Sequence, residues 1–174
     1  MEDMLLIQPD ESMLEEVNAY RREMLEADSS MDGTGSLRRL EARDWLADTR
    51  AMLSAETCPP HLVTATQYVY VRRADGRIVG MIQLRHYLND YLAEYGGHIG
   101  YSVRPDERRK GYAKQMLALV LGQAKKLSLS RVLVTCDDDN EASARTIQAN
   151  GGVLEHTVWL ESEGVTLRRY WIAL

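Results

Sequence analysis

The residues best suited to chemistry lie in Ser102-Val103-Arg104-Pro105-Asp106-Glu107-Arg108-Arg109-Lys110-Gly111-Tyr112-Ala113-Lys114. Four cations, Arg108, Arg109, Lys110 and Lys114, crowd the later half of this stretch, and Asp106 and Glu107 offset only part of their charge. If the stretch opens a helix, those cations stand where the helix already carries about half a positive charge, each at a disadvantage of about a few tenths of a kcal/mol. An anion such as phosphate, bound to the unpartnered N–H groups of the helix start, resolves that conflict. Gly111 suits the same reading, since a residue without a side chain lets a phosphate approach the backbone.

The flanking pattern supplies the elements that such a turn needs. Ile99, Tyr101 and Val103 recur at period two, as in a strand, whereas Ala113, Met116, Leu117, Val120, Leu121, Ala124 and Leu127 recur at helical spacing. The junction is therefore predicted to be strand, turn and long helix.

The rest of the chain reads as support for it. Met4 to Gln8 is predicted to be a strand, and a helix starts at Pro9-Asp10-Glu11-Ser12 and runs to about Ala27, with Leu14, Val17, Met24 and Leu25 as its apolar face. Asp28 to Gly35 is a loop, glycine-rich but acidic and without the Gly-Lys-Ser/Thr ending of a phosphate loop. A second helix is predicted from about Leu37 to Leu53, capped by Ser36. After the break at Cys58-Pro59-Pro60, strands over 66–72 and 78–84 form a hairpin through Ala74-Asp75-Gly76-Arg77. Arg85 to Gly97 is irregular, with one helical turn over Leu88 to Leu92.

Beyond the long helix, Val132 to Cys136 is a β-branched run suited to a strand buried on both faces. The acidic turn Asp137-Asp138-Asp139-Asn140 leads into a helix over Glu141 to Ala149, closed by Asn150-Gly151-Gly152. A final hairpin pairs Val153 to Leu160 with Val165 to Ile172. The order β-α-α-β-β-β-α-β-α-β-β defines an α/β (α+β) fold, a mixed sheet flanked by helices.

Composition narrows the partners. With 174 residues the chain suits one domain, spanning 1–174, with a core large enough to need no staples. A net charge of -5 argues against nucleic acid, and the basic segment holds a single aromatic, Tyr112, where a single-strand binder would interleave several. Local positive charge on an acidic protein points to a small anionic ligand instead. No apolar run approaches the about 20 residues of a membrane span, and the acidic N-terminus is no signal peptide, so a cytoplasmic protein without a membrane partner is expected. Cys58 and Cys136 form neither a disulfide framework nor a metal spacing, and Cys136 reads as a buried strand thiol.

Arg108-x-x-Gly111-x-Ala113, following a Val-x-Pro strand end, resembles the acetyl-coenzyme A signature Arg/Gln-x-x-Gly-x-Gly/Ala of the GNAT superfamily of N-acetyltransferases. The element order resembles that fold over nearly the whole chain, with a mostly antiparallel sheet. Asn140-x-x-Ser143 followed by Asn150-Gly151-Gly152 is similar to the family's Asn-x-x-Ala/Ser helix, and His86 to Asn89 with Gly96 to Tyr101 resembles an uncharacterised bacterial branch. The resemblance implies transfer of an acetyl group from acetyl-coenzyme A to a primary amine of a small molecule or protein. It also implies that the backbone of Tyr101, Ser102 and Val103 bonds the pantetheine arm and that the N–H groups from Arg109 to Lys114 hold the pyrophosphate. Asn140 would contact the arm or the acetyl end, and Ser143 the arm nearby. Read on its own, Asn140 is a helix N-cap, and both roles can hold together.

The implied chemistry needs an unprotonated amine, donors for an oxyanion and an acid for the leaving thiolate. An alkyl amine with a pKa of about 10.4 must pass its proton to a base or to water, and backbone N–H groups can serve the oxyanion. Here the chain departs from the family pattern. Ile147 stands where many relatives have the tyrosine that protonates the thiolate, and Gly96 and Gly97 stand where others place a glutamate base. His98, Glu94, His86 and Tyr101 are the nearby candidates, although His98 has the opposite strand parity to Tyr101. The missing groups leave a second class open, a catalytically weak acyl-coenzyme A binding or sensing domain. Asp90, Glu94 and Asp137 to Asp139 would suit a cationic acceptor, and the terminal hairpin offers an edge for a homodimer.

Overall fold

The computed structural model describes residues 3–174. The predicted central hairpin is its most regular part: β2 (Ala65–Arg72) and β3 (Arg77–Arg85) pair antiparallel through the Asp75-Gly76 turn. With β1 (Met4–Ile7) and β4 (Ile99–Val103) they form an antiparallel sheet in the order β1-β2-β3-β4. A second antiparallel sheet contains β5 (Arg131–Asp137), β6 (Val153–Leu160) and β7 (Val165–Ala173), in the order β5-β7-β6.

Helices cover both faces because the strands carry apolar side chains on both. On one face α1 (Leu14–Glu26) and α2 (Ala42–Ala51) bring Val17, Tyr20, Met24, Trp45 and Leu46 against Val69, Ile78 and Met81. On the other, α3 (Tyr112–Lys126) and α4 (Glu141–Ala149) bring Met116, Leu117, Val120 and Ile147 against Ile82, Leu84, Ile99, Val132 and Val134. Each fully buried side chain of this kind contributes about 1.5–3 kcal/mol, and the second cluster draws on both sheets, so it holds them together.

Two predicted elements shift, the first for a tertiary reason and the second for a local one. The second helix begins at Ala42, not Leu37: Ser36 Oγ donates to Asp48 Oδ2 at 2.7 Å, while the cap of α2 comes from α1, where Asn18 Oδ1 accepts from Ala42 N–H at 2.9 Å. The turn expected over Leu88 to Leu92 starts later and continues as a π-helical turn over Leu92–Gly96. Asn89 Oδ1 accepts the Leu92 N–H at 2.9 Å and so sets that start.

The expected mixed sheet is interrupted between β4 and β5, which each pair on one side only, with β3 and β7 respectively. They meet at a single point. His98 N–H donates to Leu133 O at 2.7 Å, and Leu133 N–H donates to the imidazole Nδ1 of His98 at 2.9 Å. Gly97 permits this approach: its φ is +67°, and a Cβ there would lie 2.5 Å from Leu133 O. Among the described residues no helix is long and apolar enough to cross a membrane.

Candidate active site

The turn after β4 is fixed from beneath by buried charge. Arg104, only 1% exposed, donates from Nε to Glu23 Oε2 at 2.6 Å and from Nη2 to Glu23 Oε1 at 2.8 Å. Its Nη1 reaches Glu16 and also Ile78 O, at 3.0 Å, which ties the end of β4 to α1 and β3. Pro105–Glu107 then forms a 3-10 turn that buries the Glu107 carboxylate against Arg72 Nη1 at 3.0 Å and Lys110 Nζ at 2.7 Å. These cations hold the Glu107 pKa below its usual value although burial pushes the other way.

From Arg108 the backbone is extended, turns left-handed at Arg109 (φ +62°), and turns left-handed again at Gly111 (φ +85°), the residue that caps α3. Turns of this kind gather successive N–H groups into an anion-binding concavity. The first hydrogen bond of the helix runs from Gln115 N–H to Gly111 O at 3.1 Å, so the N–H groups ahead of it find no partner within the helix. The space is open: the nearest atom to a Cβ built on Gly111 is Gln115 Nε2, at 3.9 Å.

The four cations do not share one task. Arg108, Arg109 and Lys110 precede the helix, and only Lys114 stands in its first turn. Arg108 folds back, donating from Nε to Val103 O at 3.1 Å and from Nη2 to Ser29 Oγ, and Lys110 is committed to Glu107. The exposed side chains of Arg109 and Lys114 form no hydrogen bond or ion pair with a described residue.

Past the His98–Leu133 joint, β4 and β5 diverge, leaving one edge of β4 from Tyr101 to Val103 facing the split. Tyr101 reaches across it: its hydroxyl lies 2.7 Å from Ser143 Oγ on α4. Asn140 caps α4, its Oδ1 accepting from Ser143 N–H at 3.1 Å, as its residue type predicted. Burial is the main reason that the Tyr101 phenol is held well above its ordinary pKa and that the Cys136 thiol is pushed up to about 11. Ile147 is fully buried in the core. Ser102 faces the opposite way, its Oγ 2.9 Å from the Tyr20 hydroxyl.

The other candidates lie elsewhere. His98 is 5% exposed, its Nδ1 is the acceptor of the inter-sheet joint, and burial, with Arg85 nearby, lowers its pKa to about 4. His86 has both ring nitrogens engaged, Nε2 with Thr66 Oγ1 at 2.8 Å and Nδ1 with Thr64 Oγ1 at 2.9 Å. Glu94 lines a groove with Asp90, Ala93, His156 and Arg169. The structure thus gathers Tyr101, Asn140, Ser143 and Cys136 and separates them in role from His98. Sequence reasoning passed over Arg104, whose partners lie on distant elements, took Glu107 only as an offset to the charge of the turn, and passed over Arg85, whose place at the end of the hairpin was its only signal.

The sequence profile of the acetyltransferase (GNAT) domain matches residues 4–153. No curated protein matches the chain. Among solved structures, the ribosomal-protein-S5-alanine acetyltransferase of Vibrio fischeri superimposes with a TM-score of 0.75 at 16% identity, covering 99% of this chain and 94% of that one. YncA of Salmonella typhimurium, solved with its cofactor acetyl-CoA, gives 0.67 at 14% identity, covering 98% and 94%. A GNAT-family acetyltransferase of Bacillus anthracis gives 0.66 at 17% identity, covering 99% and 96%. The left-handed glycine turn, the split beside β4 and the profile spanning most of the sequence agree, and the chain belongs to the GNAT acetyltransferase family.

Proposed function

We propose that the chain transfers the acetyl group of acetyl-coenzyme A to a primary amine, in the cytoplasm. The observation that carries this reading is the Arg108 to Lys114 turn, with its left-handed Gly111 opening α3 directly beside the split. The N–H groups of Arg109, Lys110, Gly111, Tyr112, Ala113 and Lys114 hold the pyrophosphate, and the Arg109 and Lys114 side chains meet phosphate oxygens. The open edge of β4 at Tyr101, Ser102 and Val103 receives the pantetheine arm as a strand would, with Asn140 and Ser143 along its other side.

The cofactor supplies an activated thioester, and the chain positions it and manages charge. Backbone N–H groups on the open edge of β4 face the oxyanion that forms as the amine nitrogen bonds to the carbonyl carbon. As the carbon–sulfur bond breaks, the Tyr101 hydroxyl gives its proton to the thiolate, a role for which burial keeps the phenol protonated. The amine proton leaves through water, because His98 Nδ1 and both His86 ring nitrogens are engaged within the protein and Glu94 lines the groove of Asp90 and Arg169. Cys136 takes no acetyl group, and mass spectrometry after incubation with acetyl-coenzyme A alone should show no adduct there.

Calorimetry with coenzyme A tests the cofactor site. Gly111→Asp, in a variant still folded by circular dichroism, should abolish binding by placing a carboxylate in the anion cradle, and unchanged affinity would overturn the assignment. A second reading, an acyl-coenzyme A binding or sensing domain, draws on the core position of Ile147 and on the use of His98 in the joint. Thiol release from acetyl-coenzyme A over a panel of amines separates the two, since a sensing domain binds but releases nothing.

A further inference from the structure

The face of β4 turned away from α3 and α4 holds charges that the steps above do not use. Residues 31–35 of the α1–α2 connection cross β4 there, so tightly that a Cβ on Gly33 would fall 2.1 Å from Gly100 O. This crossing brings the exposed Asp32 close enough to Tyr101 and Asp137 to act on both their charges. Arg85 comes to the same place from the end of β3. Its Nη1 donates to Gly96 O at 3.0 Å and Gly97 O at 3.1 Å, while its Nη2 lies 3.4 Å from where a Gly100 Cβ would stand.

Arg85 is incompletely satisfied. Nε and Nη2 donate to no group among the described residues, and the guanidinium is only partly exposed to water. Asp32 acts on its charge, yet the two form no ion pair; the Asp32 carboxylate instead accepts from Ser30 Oγ at 2.6 Å. A cation with two unused donors and a carboxylate not paired with it, both against the same stretch of β4, match a molecule bearing both charges.

We propose that the acceptor is an amine that also carries a carboxylate, an amino-acid-like zwitterion. The fork of Arg85 Nε and Nη2 takes the carboxylate in the bidentate geometry that guanidinium favours. Asp32, with Asp137 behind it, holds the ammonium end beside Tyr101. A purely cationic acceptor such as a diamine would find Arg85 repulsive, and an amide would leave its donors poorly matched. The inference rests on the acetyltransferase reading and names its substrate class.

The experiment uses the full chain, acetyl-coenzyme A, free amino acids, their matched amides and a set of α,ω-diamines, with thiol release as the signal. Free acids should be used with kcat/KM at least about tenfold above their amides. Arg85→Gln should erase that preference by raising KM for the acids, with coenzyme A affinity by calorimetry unchanged, and Arg85→Lys should keep part of it. Should Arg85→Gln unfold, Asp32→Asn at its exposed site must raise KM for the same acids. Preferred amides or diamines, or a preference that survives Arg85→Gln, would overturn the inference. If coenzyme A binds and no free acid is acetylated, the inference alone falls; if coenzyme A does not bind, the acetyltransferase reading falls with it.

Discussion

Arg108 and Lys110 look in the sequence like phosphate ligands, and the fold commits both to its own anchoring. Residue type and spacing reveal the charge of a turn but not the direction of each side chain, because the partners, Val103 O, Ser29 and the buried Glu107, depend on how the turn packs. The division is testable. Arg109→Ala and Lys114→Ala should each weaken coenzyme A binding about fivefold, an effect that shrinks at high salt, whereas Lys110→Ala should chiefly lower stability; calorimetry at two ionic strengths and urea midpoints distinguish them. Asn140 was legible, since a cap is a local event. Asn140→Ala should cost about 1 kcal/mol in urea unfolding, and Asn140→Asp should retain most of it.

At the scale of elements, the strands and the helices after residue 97 could be read from periodicity, whereas the start of α2 could not. Its cap, Asn18, sits on another helix, so nothing near Ala42 announces it. Arg104 illustrates the same limit: placed before a proline, it reads as a surface turn residue, yet it joins β4 to Glu16 and Glu23 of α1. Arg104→Ala takes the main partner from the part-exposed Glu16 and Glu23 carboxylates and a donor from Ile78 O, and should destabilise the chain by about 1–3 kcal/mol. Adding Glu16→Gln and Glu23→Gln to Arg104→Met should recover much of that loss, as urea midpoints would register.

At the scale of the molecule, element order was legible and the interruption between the sheets was not, because alternation identifies a strand without saying where its ladder ends. The joint makes a pH signature. His98 has a folded pKa of about 4 against 6.5 for the unfolded side chain. Its neutral form therefore supports the fold fully above about pH 6.5, and that support, about 3 kcal/mol, is lost as pH falls toward 4. His86, also lowered by burial, adds in the same sense. Urea midpoints should fall across this window. His98→Leu should flatten the fall and lower stability at pH 7.5, since Leu133 N–H loses its acceptor.

The hydroxyl pair of Tyr101 and Ser143 gives the gap between the sheets a bolt as well as a hinge. On the proposed placement of the pantetheine arm, a guest beside Tyr101 has to draw this bolt, and the affinity measured for it is then net of the bond broken. Tyr101→Phe removes the bolt and, under the proposed mechanism, the proton for the thiolate. Coenzyme A should then bind about two- to tenfold more tightly, in keeping with one neutral hydrogen bond, while acetyl transfer slows. Weaker binding together with slower transfer would mean that Tyr101 only shapes the gap.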